Sequence, residues 1–485
     1  MRDGAVISNQ DEFSEMSEVD VSSELLNSTA TTDGLPAPQR RMAMLTYCIG
    51  LAMSVLDGNI ANTALPSIAV QLHAKPDVSI WVVNAFLLAV SICVLPMSSL
   101  ADIIGYKRVY QAGLALFTLA SIGCSLPRSL EELVLARIFQ GVGAACMWSV
   151  SAAVMRYTYP RAILGRGVGL SGIIVFSSAA AGPSIASGIL AITTWHWLFA
   201  INIPFGLLAL SLSEKTLAPA TGTRHKWDLQ SAILNATAVI LLITGIDGIG
   251  EANYRWIAGG EIVAAAVFGT LLVRRQLSLR IPMLAVDLFE RPIFALASIS
   301  SVCAFMAQGL AFVALPFYFV DALGISQVKA GLLLTPWPIA AGVMSHFSGR
   351  LADRHSLRVL GTTGMFTMCT GMILLALAPV HPSTLDIIWR AALGGAGFGF
   401  FGAPNSRAMV ASAPRERSGG AGGIATMSRI VGQSIGVSVV AVVFGIVAHG
   451  EVTLRSVDVA LFCGACFALT SGVISTARLP HIQPE

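Results

Sequence analysis

The sequence predicts an all-α membrane protein: two pseudo-symmetric six-helix halves with a two-helix hairpin inserted between them, fourteen spans in all. Three observations carry this. First, the 485 residues are 55% hydrophobic and 12% charged, with a mean hydropathy of +0.73. Soluble domains carry about 25% charge. Second, landmarks recur in one order at nearly one offset. Asp102 and Asp353 lie 251 positions apart, Arg137 and Arg390 lie 253 apart, and Pro160-Arg161 precedes Pro414-Arg415 by 254. Third, the basic residues alternate by side. With the N-terminus placed in the cytoplasm, 21 Lys and Arg fall in cytoplasmic loops and five (Lys75, Arg128, Arg255, Lys329, Arg455) fall outside. That is a strong positive-inside bias and implies cytoplasmic termini.

The elements follow in order. Residues 1–39 hold eight acids against Arg2. That is unlike a signal or transit peptide and reads as a disordered cytoplasmic tail. A span needs roughly 20 apolar residues. Fourteen such stretches run at about 42–66, 79–100, 108–126, 132–155, 166–190, 196–213, 228–247, 256–273, 293–320, 329–349, 359–378, 384–411, 419–447 and 457–477. The repeat groups them into a first half (40–215), an inserted hairpin of spans 7 and 8 (226–275), a basic cytoplasmic linker (276–292) broken by Pro282 and Pro292, and a second half (293–478). Membrane helices associate through close packing of small residues, which suits the 46 glycines, five of them between Gly394 and Gly402. Cys463-x-x-Cys466 lies on an apolar helix and reads as packing. Duplicated halves of this kind are the usual build of secondary transporters.

A charge at mid-membrane costs at least about 2.5–3.5 kcal/mol, so each such residue needs a reason. Asp57 lies well inside span 1, near Ser54, Asn59 and Asn62. It reads as a carboxylate that cycles a proton and meets a cationic substrate; the competing reading is a structural hydrogen-bonding group. Arg137 lies mid-span beside Gln140, Gly141 and Gly143, and would face a cavity or a buried acid. Arg390 has Asp386 four residues earlier, a pair that can satisfy itself on one helix face. Tyr318 and Asp321 offer an aromatic and acidic cation site, or a wet helix end. Asp247 and Glu261 read as interfacial charges. Trp148, Phe176, Trp337 and Trp389 are candidate pocket aromatics, each also explicable by packing. The chain has no Walker loop, no histidine pair at metal spacing and no nucleophile elbow. No cofactor or nucleic acid is expected.

Leu56-Asp57-Gly58-Asn59-Ile60-Ala61-Asn62-Thr63-Ala64-Leu65-Pro66 resembles the first-span signature of the fourteen-helix drug–proton antiporters of the major facilitator superfamily, the EmrB/QacA type. Trp81 to Phe86, Leu100 to Arg108, Arg137 to Ala145, Gly182-Pro183 with Gly188, and Trp195 to Gly206 resemble further motifs of that branch. The resemblance covers about 42–477. It implies the major facilitator fold and alternating access, with export of hydrophobic, often cationic compounds across a bacterial inner membrane, driven by the proton gradient. Asp57 and Arg137 would couple the proton. Asp57, Asn59, Asn62, Trp148, Phe176, Tyr318, Asp321 and Trp337 would meet the substrate. Asp102, Gly105, Lys107, Arg108, Gly182, Pro183, Gly349, Asp353 and Arg354 would form the conformational gate, with the Asp353 loop the stronger clasp. A monomer is expected, with a periplasmic adaptor as an optional partner. Ser98, Ile103, Ser187 and Ser356 depart from the family pattern. A dedicated metabolite exporter and a non-transporting sensor stand as alternatives.

Overall fold

The computed structural model describes residues 34–160, 163–217, 227–251, 253–279, 282–352, 354–379, 381–414, 418–448 and 452–478. The gate residue Asp353 and most of the acidic tail lie outside them. The helices are α1 (Ala37–Gln71), α2 (Pro76–Ser79), α3 (Trp81–Ile104), α4 (Tyr106–Cys124), α5 (Leu130–Ser149), α6 (Ser151–Thr158), α7 (Leu164–Ile192), α8 (His196–Ala200), α9 (Asn202–Thr216), α10 (Leu229–Gly248), α11 (Arg255–Ser278), α12 (Pro292–Phe317), α13 (Gln327–Leu334), α14 (Pro336–Leu351), α15 (Leu357–Ala376), α16 (Thr384–Ser412), α17 (Ser418–Ala448) and α18 (Leu454–Thr476). A π-helical turn, Tyr318–Ala322, extends α12. Eleven helices among the described residues are long and apolar enough to cross a membrane. In hydrocarbon the backbone must satisfy its own hydrogen bonds, which these apolar runs do only as helices.

Local sequence sets where the helices stop. Ser129, Asp228, Ser383 and Thr453 cap the starts of α5, α10, α16 and α18 through their side chains. Between α3 and α4 the chain turns at Gly105, whose φ of +95° suits glycine. Pro66, Pro96, Pro183, Pro316 and Pro404 lie inside helices.

Glycines let the helices touch backbone to backbone. A Cβ on Gly143 of α5 would stand 2.6 Å from the Phe117 nitrogen of α4, and one on Gly397 of α16 would stand 2.2 Å from the Met368 nitrogen of α15. Both contacts recur at the repeat offset, so the duplication holds in the packing. Helices α10 and α11 form the unduplicated hairpin. Asn235 on α10 donates to the Ile92 carbonyl of α3 at 3.1 Å, and Gly250, just beyond α10, packs on Val442 of α17. The hairpin therefore leans on both halves. Only 17% of the apolar window of α11 is buried, against 72% for the span that contains α12, so α11 is peripheral.

Hydrogen bonds fasten the halves together towards the end of the bundle far from the start of α1. There Asn84 donates to Ser438 at 2.7 Å, Gln327 donates to the Thr63 carbonyl at 2.6 Å, and the Ser184 and Thr335 hydroxyls lie 2.9 Å apart.

Candidate functional site

Asp57 (α1), Arg137 and Gln140 (α5) and Asn202 (start of α9) converge in the first half. The side chains of Asp57 and Arg137 are fully buried. Gly141 brings α5 so close to α3 that a Cβ there would stand 2.5 Å from the Phe86 carbonyl oxygen. That approach lets Arg137 Nε donate to the Val82 carbonyl at 3.0 Å and sets its guanidinium 4.4 Å from the Phe86 ring centroid. Arg137 Nη1 pairs with Asp57 Oδ2. Gln140 Nε2 and Asn202 Nδ2 donate to Asp57 Oδ1 at 2.9 and 2.8 Å. Gln140 lies one turn from Arg137, accepts from Arg137 Nη1 at 2.5 Å, and donates to Ser121 at 2.9 Å. The carboxylate thus has three donors, while Arg137 Nη2 is buried without a partner. A buried charge pair survives only with such extra hydrogen bonds.

Beside this cluster, between the halves, lies a cavity of about 390 Å³. Its volume suits a drug-sized molecule. Phe86, Trp148, Phe176, Phe305, Phe312, Phe398 and Phe401 line it, with Asn59, Asn62, Gln308, Asn405 and Gln433 as polar groups. Trp148 is held by a 2.8 Å hydrogen bond from its Nε1 to Ser54 and meets Phe86 edge-on at 6.4 Å. The charged groups on the described wall are Arg137 and Arg429. The Arg429 guanidinium stands 4.8 Å from the Trp148 ring centroid. A second, more apolar hollow of about 400 Å³ opens between α7 and α14 and shares Phe176.

The predicted substrate residues divide. Asn59, Asn62, Trp148 and Phe176 line the cavity. Asp57 is not on the wall, whereas its partner Arg137 is. Trp337 is buried against Gly394 and Gly395. Tyr318 is buried and Asp321 exposed in the π-helical turn, away from the cavity. Among the gate residues, Gly182 packs on Asn59, where a Cβ would stand 2.7 Å from the Asn59 Cβ. Its neighbour Pro183 offers its carbonyl to Ser187 at 2.9 Å. Lys107 donates to the Glu214 carbonyl of its own half at 2.7 Å. Asp102, Arg108 and Arg354 are exposed, and Gly349 has only a distant neighbour, Ala403. Arg390 pairs with Asp386 at 2.9 Å, as their spacing predicts. Asn202, Gln308, Gln433 and Arg429 were not among the predicted site residues. Arg429 carried the same signal as Arg137, a charge inside an apolar span.

Known proteins fit this architecture. The profile of the Major Facilitator Superfamily matches residues 47–437 and 297–481. The chain belongs to this superfamily. It is 46% identical to the uncharacterized transporter YebQ of Escherichia coli, over 92% of this chain and 97% of that one. It is 28% identical to the riboflavin transporter RibZ of Clostridioides difficile (82% and 87% covered) and 30% identical to the multidrug resistance protein Stp of Mycobacterium tuberculosis (82% and 74%). A solved bacterial homolog of the human lysosomal transporter Spinster, inward-facing and unoccupied, superposes with a TM-score of 0.65 at 13% identity, over 91% of this chain and 98% of that one. The superfamily member is therefore an all-helical integral membrane transporter, and the family points away from an enzyme.

Proposed function

We propose that this transporter is a proton-coupled exporter of hydrophobic aromatic compounds, with fourteen spans and both termini in the cytoplasm of a bacterium. The observation that carries the reading is the sealed Asp57–Arg137 pair beside an aromatic cavity. Arg137 touches both, so a proton on Asp57 would release a guanidinium onto the cavity wall. Proton binding and cavity chemistry then share one side chain. The halves are fastened at the far end, which the charge bias assigns to the outside, so the cavity in this state belongs to the cytoplasmic side. The first-span resemblance and the likeness to Stp support export. The cation that the resemblance implies finds no carboxylate on the described wall, so a positive charge on the substrate is not part of this reading.

Asp57→Asn tests it. Asparagine fits the same space and cannot cycle a charge. In inverted vesicles energised with a proton gradient, the variant should insert normally and lose gradient-driven accumulation of an aromatic dye. Accumulation at the wild-type rate would move the coupling to another acid.

A further inference from the structure

We propose that Arg429 recognises a negative charge on the transported compound, so that the cavity takes an aromatic anion, with its acid group on Arg429 and its rings among the wall aromatics. The proposal rests on reading this cavity as the transport site.

Two cations reach the described wall, and only one has a partner. Arg137 is matched by Asp57. Arg429 is half-buried on α17, inside the span Gly420–Ala448, and among the described residues its guanidinium rests against the Trp148 ring with no acid paired to it. A cation–π contact attracts a guanidinium without neutralising it. No Asp or Glu stands among the described residues of the wall. An arginine held in a low-dielectric cleft with no acid opposite leaves its planar donor fork free, and that fork matches a carboxylate or phosphate in two parallel hydrogen bonds. The surroundings set the rest of the ligand. Trp148 meets the guanidinium, and Phe86, Phe305 and Phe398 supply further ring faces and edges on the same cavity wall. Gln433, one turn along α17 from Arg429, also lines the cavity and adds a neutral polar group.

The charge count agrees with exchange against a proton. With Asp57 ionised and an anion on Arg429, every cation of the site has its counter-charge. With Asp57 protonated and the cavity empty, Arg137 and Arg429 are both unmatched. The loaded form is thus the one that closes without bare charge, and a membrane potential negative inside draws the empty form back. One monoanion leaving for one proton entering moves two charges inward, whereas a neutral compound moves one.

The test uses the full chain in nanodiscs and three ring-matched probes: 2-naphthoate, 2-naphthamide and 2-naphthylmethylammonium. Dissociation constants from calorimetry should rank the carboxylate at least tenfold tighter than the amide, with the ammonium weakest. In Arg429→Gln the carboxylate-to-amide ratio should fall to within about threefold of one. Arg429→Lys, which keeps charge and loses the fork, should give an intermediate ratio. A wild-type carboxylate that binds no tighter than the amide overturns the proposal, as does a preference that survives Arg429→Gln. The wild-type comparison decides even if a variant fails to fold. Transport is scored separately in proteoliposomes. Proton-driven flux of the amide without carboxylate preference removes the anion site and leaves the exporter reading. Carboxylate preference without proton-driven flux does the reverse.

Discussion

Arg137 and Arg390 occupy matching places in the two halves, 253 positions apart, and do different work. Arg137 reaches across to Asp57 on another helix, and both side chains are fully buried. Arg390 turns to Asp386 on its own helix, four residues back, with side chains 13% and 22% exposed. The reason lies in the facing helix. Asp57-Gly58 in α1 is matched, 251 positions on, by Gln308-Gly309 in α12. The second half therefore puts a neutral amide where the first has an acid, and Gln308 lines the cavity with Oε1 buried and unpartnered. The helix-packing glycines were kept in both copies, but the charge pair was not. Duplication fixed the scaffold, and the buried acid–arginine pair sits in one half of it.

The largest effect should come from breaking the buried pair. Removing one partner leaves an uncompensated charge and typically costs about 3–5 kcal/mol. Arg137→Gln should therefore lower the unfolding midpoint more than Arg390→Gln, which loses a partly exposed pair to Asp386 and a hydrogen bond to the Leu374 carbonyl but strands no fully buried charge. Asp57→Asn in the Arg137→Gln background should restore part of the loss, because the stranded carboxylate is gone. Denaturant unfolding in matched detergent measures all three. Equal losses at the two arginines would mean that the halves are electrostatically equivalent after all.

Glycine substitutions probe the feature that the copies share. Gly143→Ala and Gly397→Ala each drive a methyl against the backbone of the neighbouring helix, where it would stand 2.6 and 2.2 Å from the nearest nitrogen. Overpacking of this kind costs about 1–3 kcal/mol. The two should destabilise by similar amounts, measured as shifts in detergent melting temperature. A loss confined to one half would show that the repeat is only approximate at its contacts.

Much of this was legible in the sequence, for physical reasons. Spans are readable because hydrocarbon demands long apolar runs. The repeat showed because Asp, Arg and Pro landmarks stand out against an apolar background. Asp57 and Arg137 were singled out as expensive intramembrane charges, and the structure brings them together. Their partner Asn202 was hidden, since a polar amide at a helix start is ordinary until the helix is placed. Asp57 was expected on the substrate wall, and sequence had no means to show that its partner Arg137 would line the cavity in its place. Tyr318 and Asp321 stand in the π-helical turn and not on the cavity wall, and position along a helix with such a turn is not written in composition. Arg429 was visible as a charge in a span, but its significance depends on which acids do not face it, and that is a property of the assembled helices.

The smallest effect belongs to a third ion pair, in the part of the chain with no repeat. Asp228 caps α10, and its Oδ1 accepts from Arg275 Nη2 at 2.9 Å, with the side chains of Arg275 and Asp228 31% and 24% exposed. Burial raises the carboxyl's proton affinity, but hydrogen bonds from Arg275 and Ser231 outweigh it and hold the group below the usual carboxylate range. A pKa depressed in the folded state stabilises above the unfolded value of about 3.9, and that contribution is lost as pH falls through the folded value. Near neutral pH, Asp228→Asn should thus cost no more than about 0.2–1 kcal/mol, as exposed pairs do. The gap between variant and wild type should narrow only below the unfolded value of about 3.9, as pH falls through the depressed folded value and the carboxyl is neutralised. Unfolding midpoints of both proteins from pH 3 to 7 measure this. A gap that stays open at acid pH would assign the stabilisation to the shape of the cap and not to its charge. A loss as large as that of Arg137→Gln would make the hairpin a structural part of the bundle core, and the contrast between the buried pair of the first half and the weaker pairs elsewhere would have to be redrawn to include it.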